Sequence, residues 1–259
     1  MPPYKLHNIL NKLFIKIFSP NKDTTTQVPL PPEVYMRLVC GQHDDLADQF
    51  NWAGEVVLNM LDEEGMTADG TSFLDVGCGC GRIARRLMER PISSYTGFDR
   101  HPGMIRWCRE QIGARDPRFA FHYFSLQSSY QTLDGHKGRQ PASAFAFPYP
   151  AASFSAVLLA SIFTHMPLQE SVHYLRELYR VLAPGGKILL SVFLSDDEED
   201  GCSEVDFYYH TGTFLGCLEE IGFKARFRQK LAEHHWYTLS TSEAAPALLL
   251  DRDVEQTSG

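Results

Sequence analysis

From Phe73 onward, short unbroken apolar runs alternate with segments of helical periodicity, and this alternation restricts the chain to very few folds. Residues 71–76, 95–98, 119–124, 154–160 and 187–194 read as strands, and 82–89, 102–112 and 168–182 as helices. Pro91 stops the first helix, and Pro184-Gly185-Gly186 closes the third. Strands that are apolar on both faces belong inside a parallel sheet covered by helices on both sides. Right-handed crossovers then make the sheet doubly wound, an α/β fold whose ligands bind beyond the carboxyl ends of the strands. A helix over 211–221, a strand over 223–227 and a last strand over 247–250 complete the expected order. A length of 259 residues suits one such domain with a well-buried core.

Ahead of the alternation, Leu6, Ile9, Leu10, Leu13, Phe14 and Ile17 recur at steps of three and one. That spacing puts them on one face of a helix over 5–18. Ser19-Pro20 ends the pattern, a Pro- and Thr-rich linker runs to Pro32, and 32–61 reads as helical. Residues 1–32 are therefore expected to form an amphipathic arm and linker, and 33–259 the α/β domain. The arm suits a lid on its own domain, a contact in a homo-oligomer, or a peripheral membrane contact through residues 5–18. No apolar run nears the roughly 20 residues of a membrane span. Lys12 and Lys16 break the N-terminal apolar stretch, so no secretory leader is expected. The six cysteines lack the spacing of a disulfide framework or a metal site, which points to a reducing, cytoplasmic setting. The formal net charge of −8 argues against a nucleic-acid partner.

The first strand runs straight into Gly77-Cys78-Gly79-Cys80-Gly81-Arg82. Alternating glycines let a backbone turn sharply and approach a ligand closely, and the helix that follows points its first N–H groups at that ligand. A dinucleotide fingerprint would have Gly or Ala five residues after Gly77, where this chain has Arg82. Asp75, just ahead of the loop, would repel a pyrophosphate but suits a cationic ammonium group. Asp99 closes the second strand, where a carboxylate can accept hydrogen bonds from a ribose diol. The competing readings are a ligand-free tight turn for the glycines and a helix cap for Asp99.

The blocks FLDVGCGCGR, YTGFD, FPYPAASFSAVLLASIFTHMP and YLRELYRVLAPGGKILL, in this order, resemble the class I S-adenosylmethionine-dependent methyltransferases. The resemblance covers roughly residues 73 to 194. It implies a seven-stranded, mostly parallel sheet that ends in an antiparallel C-terminal hairpin, with S-adenosyl-L-methionine as cofactor. It implies that Asp75, Gly77, Cys78, Gly79 and Gly81 hold the methionine end and that Asp99, with Arg100 beside it, holds the ribose. Ser125 and Leu126 stand where many relatives contact adenine through an Asp, and Ser161 ends the fourth strand beside the cofactor. His43, Phe50 and Trp52 lie in the segment that relatives fold over the cofactor.

Methyl transfer needs a positioned acceptor and excluded water more than it needs protein chemistry. A hydroxyl acceptor also benefits from a base, and His165, just past the fourth strand, is the candidate. Its alternative is a helix-start histidine bonded to backbone. His235 and Trp236, within His234-His235-Trp236-Tyr237, are candidates to line an acceptor pocket; the alternative is a half-buried connection before the last strand. The acidic run from Asp196 to Asp200 reads as a solvated loop. A DNA adenine methyltransferase would carry Asn or Asp, two prolines and an aromatic after the fourth strand, and this chain does not. The sequence thus predicts a methyltransferase for a small-molecule acceptor, such as a sugar or natural-product hydroxyl, with no metal. A protein or RNA methyltransferase and a non-catalytic cofactor-binding protein are the competing expectations.

Overall fold

The computed structural model describes residues 28–129, 134–197, 201–202 and 205–241. The arm over 5–18 and the expected last strand over 247–250 lie outside these residues. Two helices come first, α1 (Glu33–Cys40) and α2 (Leu46–Glu63), followed by β1 (Ser72–Val76), α3 (Ala84–Leu87) and β2 (Ser94–Asp99). Next are α4 (Pro102–Cys108), continued by a π turn over Arg109–Gly113, then β3 (Phe119–Tyr123), β4 (Phe154–Leu159) and a 3-10 turn over Phe163–His165. The last elements are α5 (Leu168–Val181), β5 (Leu182–Ser195), β6 (Gly201–Cys202), β7 (Phe207–His210), α6 (Thr211–Ile221), β8 (Phe223–Leu231) and β9 (His234–Thr241).

The strands β3, β2, β1, β4 and β5 lie side by side and are all parallel. β9 pairs antiparallel with β5 and with β8, which gives the expected hairpin. The described residues hold nine strands rather than seven. The added pair is β6 and β7, between the acidic run of 196–200 and the helix over 211–221, where the sequence predicts no strand. β7 joins β5 at Phe193–Ser195, past the point where the β4 register ends at Leu190.

Two further expectations are corrected. Pro184-Gly185-Gly186 does not cap α5, which ends at Val181. Leu182 already pairs with Phe154 and Lys187 with Ala156, so residues 183–186 bulge out of β5, with Gly185 at φ +74°. The segment His234-His235-Trp236-Tyr237 is not a connection but the start of β9, the last strand among the described residues.

Alternation along the strands builds a core on each face of the sheet. Leu74, Val157, Leu190 and Val192 face α5 and α6, and Phe73, Leu158 and Leu189 face α2, α3 and α4. One buried hydroxyl ties the turn after β4 to this scaffold. Tyr209 Oη of β7 lies 2.7 Å from Phe163 O, 2.6 Å from Met166 O and 2.7 Å from Ser171 Oγ. Removing it leaves buried carbonyls without their donor. Tyr209→Phe is expected to cost about 1–3 kcal/mol of stability, read as a lowered midpoint in urea with an unchanged slope.

Candidate active site

The carboxyl ends of β1, β2 and β4 surround one cavity, and the glycine loop forms its floor. Gly77 N–H and Cys78 N–H both donate to Phe98 O, at 2.9 and 3.0 Å, which pins the loop to the end of β2. Gly77 has φ +72°, and a Cβ there would sit 2.0 Å from Ile162 Cδ1. Gly81 has φ +75°, and its Cβ would come within 2.7 Å of Ile112 Cδ1. Both positions therefore require glycine on grounds of backbone conformation and of space.

Asp75 is buried, and its Oδ2 accepts a 2.6 Å hydrogen bond from Tyr95 Oη. Burial pushes its carboxyl up to about 7; Tyr95 and the charge of Arg82 oppose the rise, and Asp99 adds to it. Asp99 accepts from Gly79 N–H at 2.9 Å and from His101 N–H at 2.8 Å, one bond on each oxygen. Burial raises its pKa against these two bonds. A carboxylate offers about four lone-pair sites, so Asp99 keeps acceptor capacity for a diol. Leu38 and Val39 of α1 cover the loop from above. They fill the covering role expected of His43, Phe50 and Trp52; Phe50 is instead buried in a small core with Met36, Leu46, Cys80 and Met104.

Several expected contacts fall elsewhere. Arg100 lies at the cavity, but its guanidinium is committed to the following loop: it donates to Leu126 O at 3.2 Å and to His136 O, and it pairs with Asp134. Ser125 does not line the cavity; its hydroxyl accepts from Arg139 N–H at 3.2 Å, and Leu126, Gln127 and Ser128 stand at the wall in its place. His235 and Trp236 do not line it either. Trp236 is buried opposite Ser191 in the core, and strand alternation turns His235 to the other face, opposite Val192.

The fourth strand ends as expected beside the cavity. Ser161 has φ +59°, its N–H donates to Ser191 Oγ at 2.8 Å, and its hydroxyl lies 2.9 Å from His234 Nε2. His234, not His235, is thus the β9 histidine that reaches the site. Burial, with the charges of His165 and Arg82, lowers its pKa to about 4, so it is neutral near pH 7. His165 lines the cavity, and its Nδ1 lies 2.9 Å from Val205 O and 3.2 Å from Asp206 Oδ1. Nδ1 therefore carries the proton of the neutral ring, and the basic lone pair is on Nε2. Burial lowers the pKa of His165, while the carbonyl and Asp206 oppose the shift.

His101, Asp134 and His136 bring three potential metal-ligand atoms within 4.8 Å of one another. Their hydrogen bonds explain the cluster without an ion. His101 Nδ1 accepts from Met104 N–H at 3.2 Å as the cap of α4, which leaves its proton on Nε2, and Asp134 faces the Arg100 cation.

The donor set fits the cofactor that the sequence implies. Two carboxylates suit its positive charges and ribose diol, the glycine floor admits its backbone-tight end, and Phe98, Met104, Leu126 and Ile162 supply apolar surface for a nucleoside. Residues 74–190 match a family described as a methyltransferase domain. The chain is 33% identical over 122 residues to demethylmenaquinone methyltransferase of Thermus thermophilus, covering 47% of this chain and 46% of the relative. It is 28% identical over 197 residues to malonyl-acyl-carrier-protein O-methyltransferase of Serratia marcescens, covering 74% and 65%. The match spans less than half the length of the first three curated relatives, at 46, 39 and 42%. A solved S-adenosylmethionine-dependent methyltransferase from Mesorhizobium loti shares the fold, with TM-score 0.55, 15% identity, and 73% of this chain and 99% of that one covered. Residues 74–190 therefore carry a methyltransferase domain of the S-adenosylmethionine-dependent kind, whose cofactor is S-adenosylmethionine. No helix among the described residues is long and apolar enough to cross a membrane.

Asp75 makes the site respond to pH. The folded chain keeps this proton up to about pH 7, while the unfolded chain releases it near 3.8. Its contribution to stability therefore falls as pH rises from about 4 to 7. A ligand ammonium group facing Asp75 favours the ionised form, so S-adenosylhomocysteine affinity should rise up to about tenfold from pH 6 to pH 8. Calorimetry checks this; Asp75→Asn should flatten the profile.

Proposed function

We propose that the chain transfers a methyl group from S-adenosylmethionine to a hydroxyl of a small molecule, of the sugar or natural-product type, with His165 as general base. The carrying observation is the orientation of His165, whose Nδ1–H is held by Val205 O and Asp206. S-adenosylmethionine supplies an electrophilic methyl group on a sulfonium. The chain's part is to hold the acceptor in line, keep water out and receive the hydroxyl proton at His165 Nε2. Asp206 and the Val205 carbonyl then stabilise the imidazolium. The turn that carries His165 is held by the buried Tyr209 Oη and by the half-buried Ser129 hydroxyl, the latter 3.0 Å from His165 O. His234 stays neutral at working pH. Relatives named for a quinone and for a carrier-bound acyl group support a small acceptor. The net charge of −8 speaks against RNA.

The test is transfer of labelled methyl groups into pools of low-molecular-mass hydroxylated acceptors. His165→Ala should slow transfer about 10²- to 10⁴-fold near pH 7 and remove the fall in rate that the wild type shows as acid protonates His165. Binding of S-adenosylhomocysteine should persist in the variant. An unaltered rate at every pH removes His165 as base.

A further inference from the structure

Arg82 directly follows the glycine loop and lines the cavity. Its stem passes Gly54 of α2, where a Cβ would stand 3.2 Å from Arg82 Cγ, and its Nη1 lies 3.6 Å from Cys40 Sγ at the end of α1. Burial raises the Cys40 pKa more than the guanidinium lowers it, so the thiol is a neutral acceptor and no counter-ion. Among the described residues, no carboxylate stands within ion-pair distance of Arg82. Arg86, Arg90, Arg100, Arg118 and Arg180, also half-buried, each hold one. Arg86 is the sharpest comparison, because it passes the same Gly54 and pairs with Glu55. Withdrawing a guanidinium from water without an anion is unfavourable unless a ligand brings the anion. The field of Arg82 reaches Asp75 and His234, which sets it at the Asp75 end of the cavity.

We propose that Arg82 binds the α-carboxylate of the cofactor's amino-acid end while Asp75 faces its ammonium group. The assignment rests on the methionine end lying at the glycine loop. A zwitterion is recognised by opposite charges at two points, and a guanidinium offers a carboxylate parallel N–H donors. Asp75 alone would accept any amine at this position; Arg82 adds selection for an amino acid.

Two ligands separate the charges: S-adenosylhomocysteine and its decarboxylated analogue, which keeps the nucleoside, the thioether and the amine. Calorimetry on the full chain should show the wild type preferring S-adenosylhomocysteine about 10- to 100-fold. Arg82→Gln should erase that preference by weakening S-adenosylhomocysteine alone, and Arg82→Lys should restore part of it. Retained binding of the analogue shows that each variant is folded. An equal loss for both ligands makes Arg82 a structural prop and overturns the assignment, as does a wild type that does not discriminate between them. A wild type that binds neither ligand would instead remove the cofactor placement on which the assignment rests.

Discussion

The Phe98 carbonyl, accepting from Gly77 N–H and Cys78 N–H together, is the contact on which the site depends. It draws the end of β1 onto the end of β2 and so fixes the spacing of Asp75 and Asp99, the two acids that follow from those strands. Asp99 repeats the device when its carboxylate takes Gly79 N–H. The loop amides are thereby satisfied by β2 rather than by solvent, which lets the chain keep a bare backbone surface at the cavity floor. The left-handed glycines are the condition for this arrangement. A side chain at Gly77 would meet Ile162, from the far side of the sheet's centre, so the loop and the turn after β4 are built to one another's shape.

Charge follows from that geometry. Closing β1 against β2 carries Asp75 out of water with Tyr95 as its one direct hydrogen-bond donor among the described residues. Tyr95 cannot move aside, because it stacks on Phe73 at 5.9 Å and on Phe119 at 4.9 Å. One hydrogen bond does not compensate burial, and the carboxyl is left close to its titration point near neutrality. The ligand that relieves it must bring positive charge, which agrees with a sulfonium amino acid and disagrees with a pyrophosphate. The same field that destabilises Asp75 in the free chain therefore selects what enters.

The parallel half of the fold was legible because its signals are local. Apolar runs, a glycine loop and two acids at strand ends lie within 30 residues of one another, and each can be read without knowing what packs on it. What depended on distant pairing was less legible. The bulge at 183–186 exists because Leu182 pairs early with Phe154, a partner 28 residues away, so the Pro-Gly-Gly signal marks a kink in a strand rather than the end of a helix. Arg100 carries the right charge at the right strand end, yet its direction is decided by Asp134 and His136 in a loop whose path the sequence does not specify. Ser125 is drawn off the cavity for the same reason, by the amide of Arg139. Arg82 was visible mainly as a departure from a dinucleotide pattern, and that no carboxylate among the described residues pairs with it needed the packing of α1 and α2 to be seen.

The acceptor side turns on parity. All four consecutive residues at the start of β9, His234 to Tyr237, could serve a polar pocket by composition, and only the register against β5 decides among them. Phe193 stands opposite His234, and its ring meets the imidazole edge-to-face at 4.7 Å. That contact turns His234 to the face on which Ser161 emerges from β4. Shifting the register by one residue would present His235 there and leave His234 on the far face. The left-handed backbone of Ser161 makes the same choice from the other strand, since it aims the hydroxyl back toward β9 instead of along β4. Two strands that meet only through β5 thus agree on one histidine, and that agreement keeps a second, neutral imidazole beside His165 without making it a competing base.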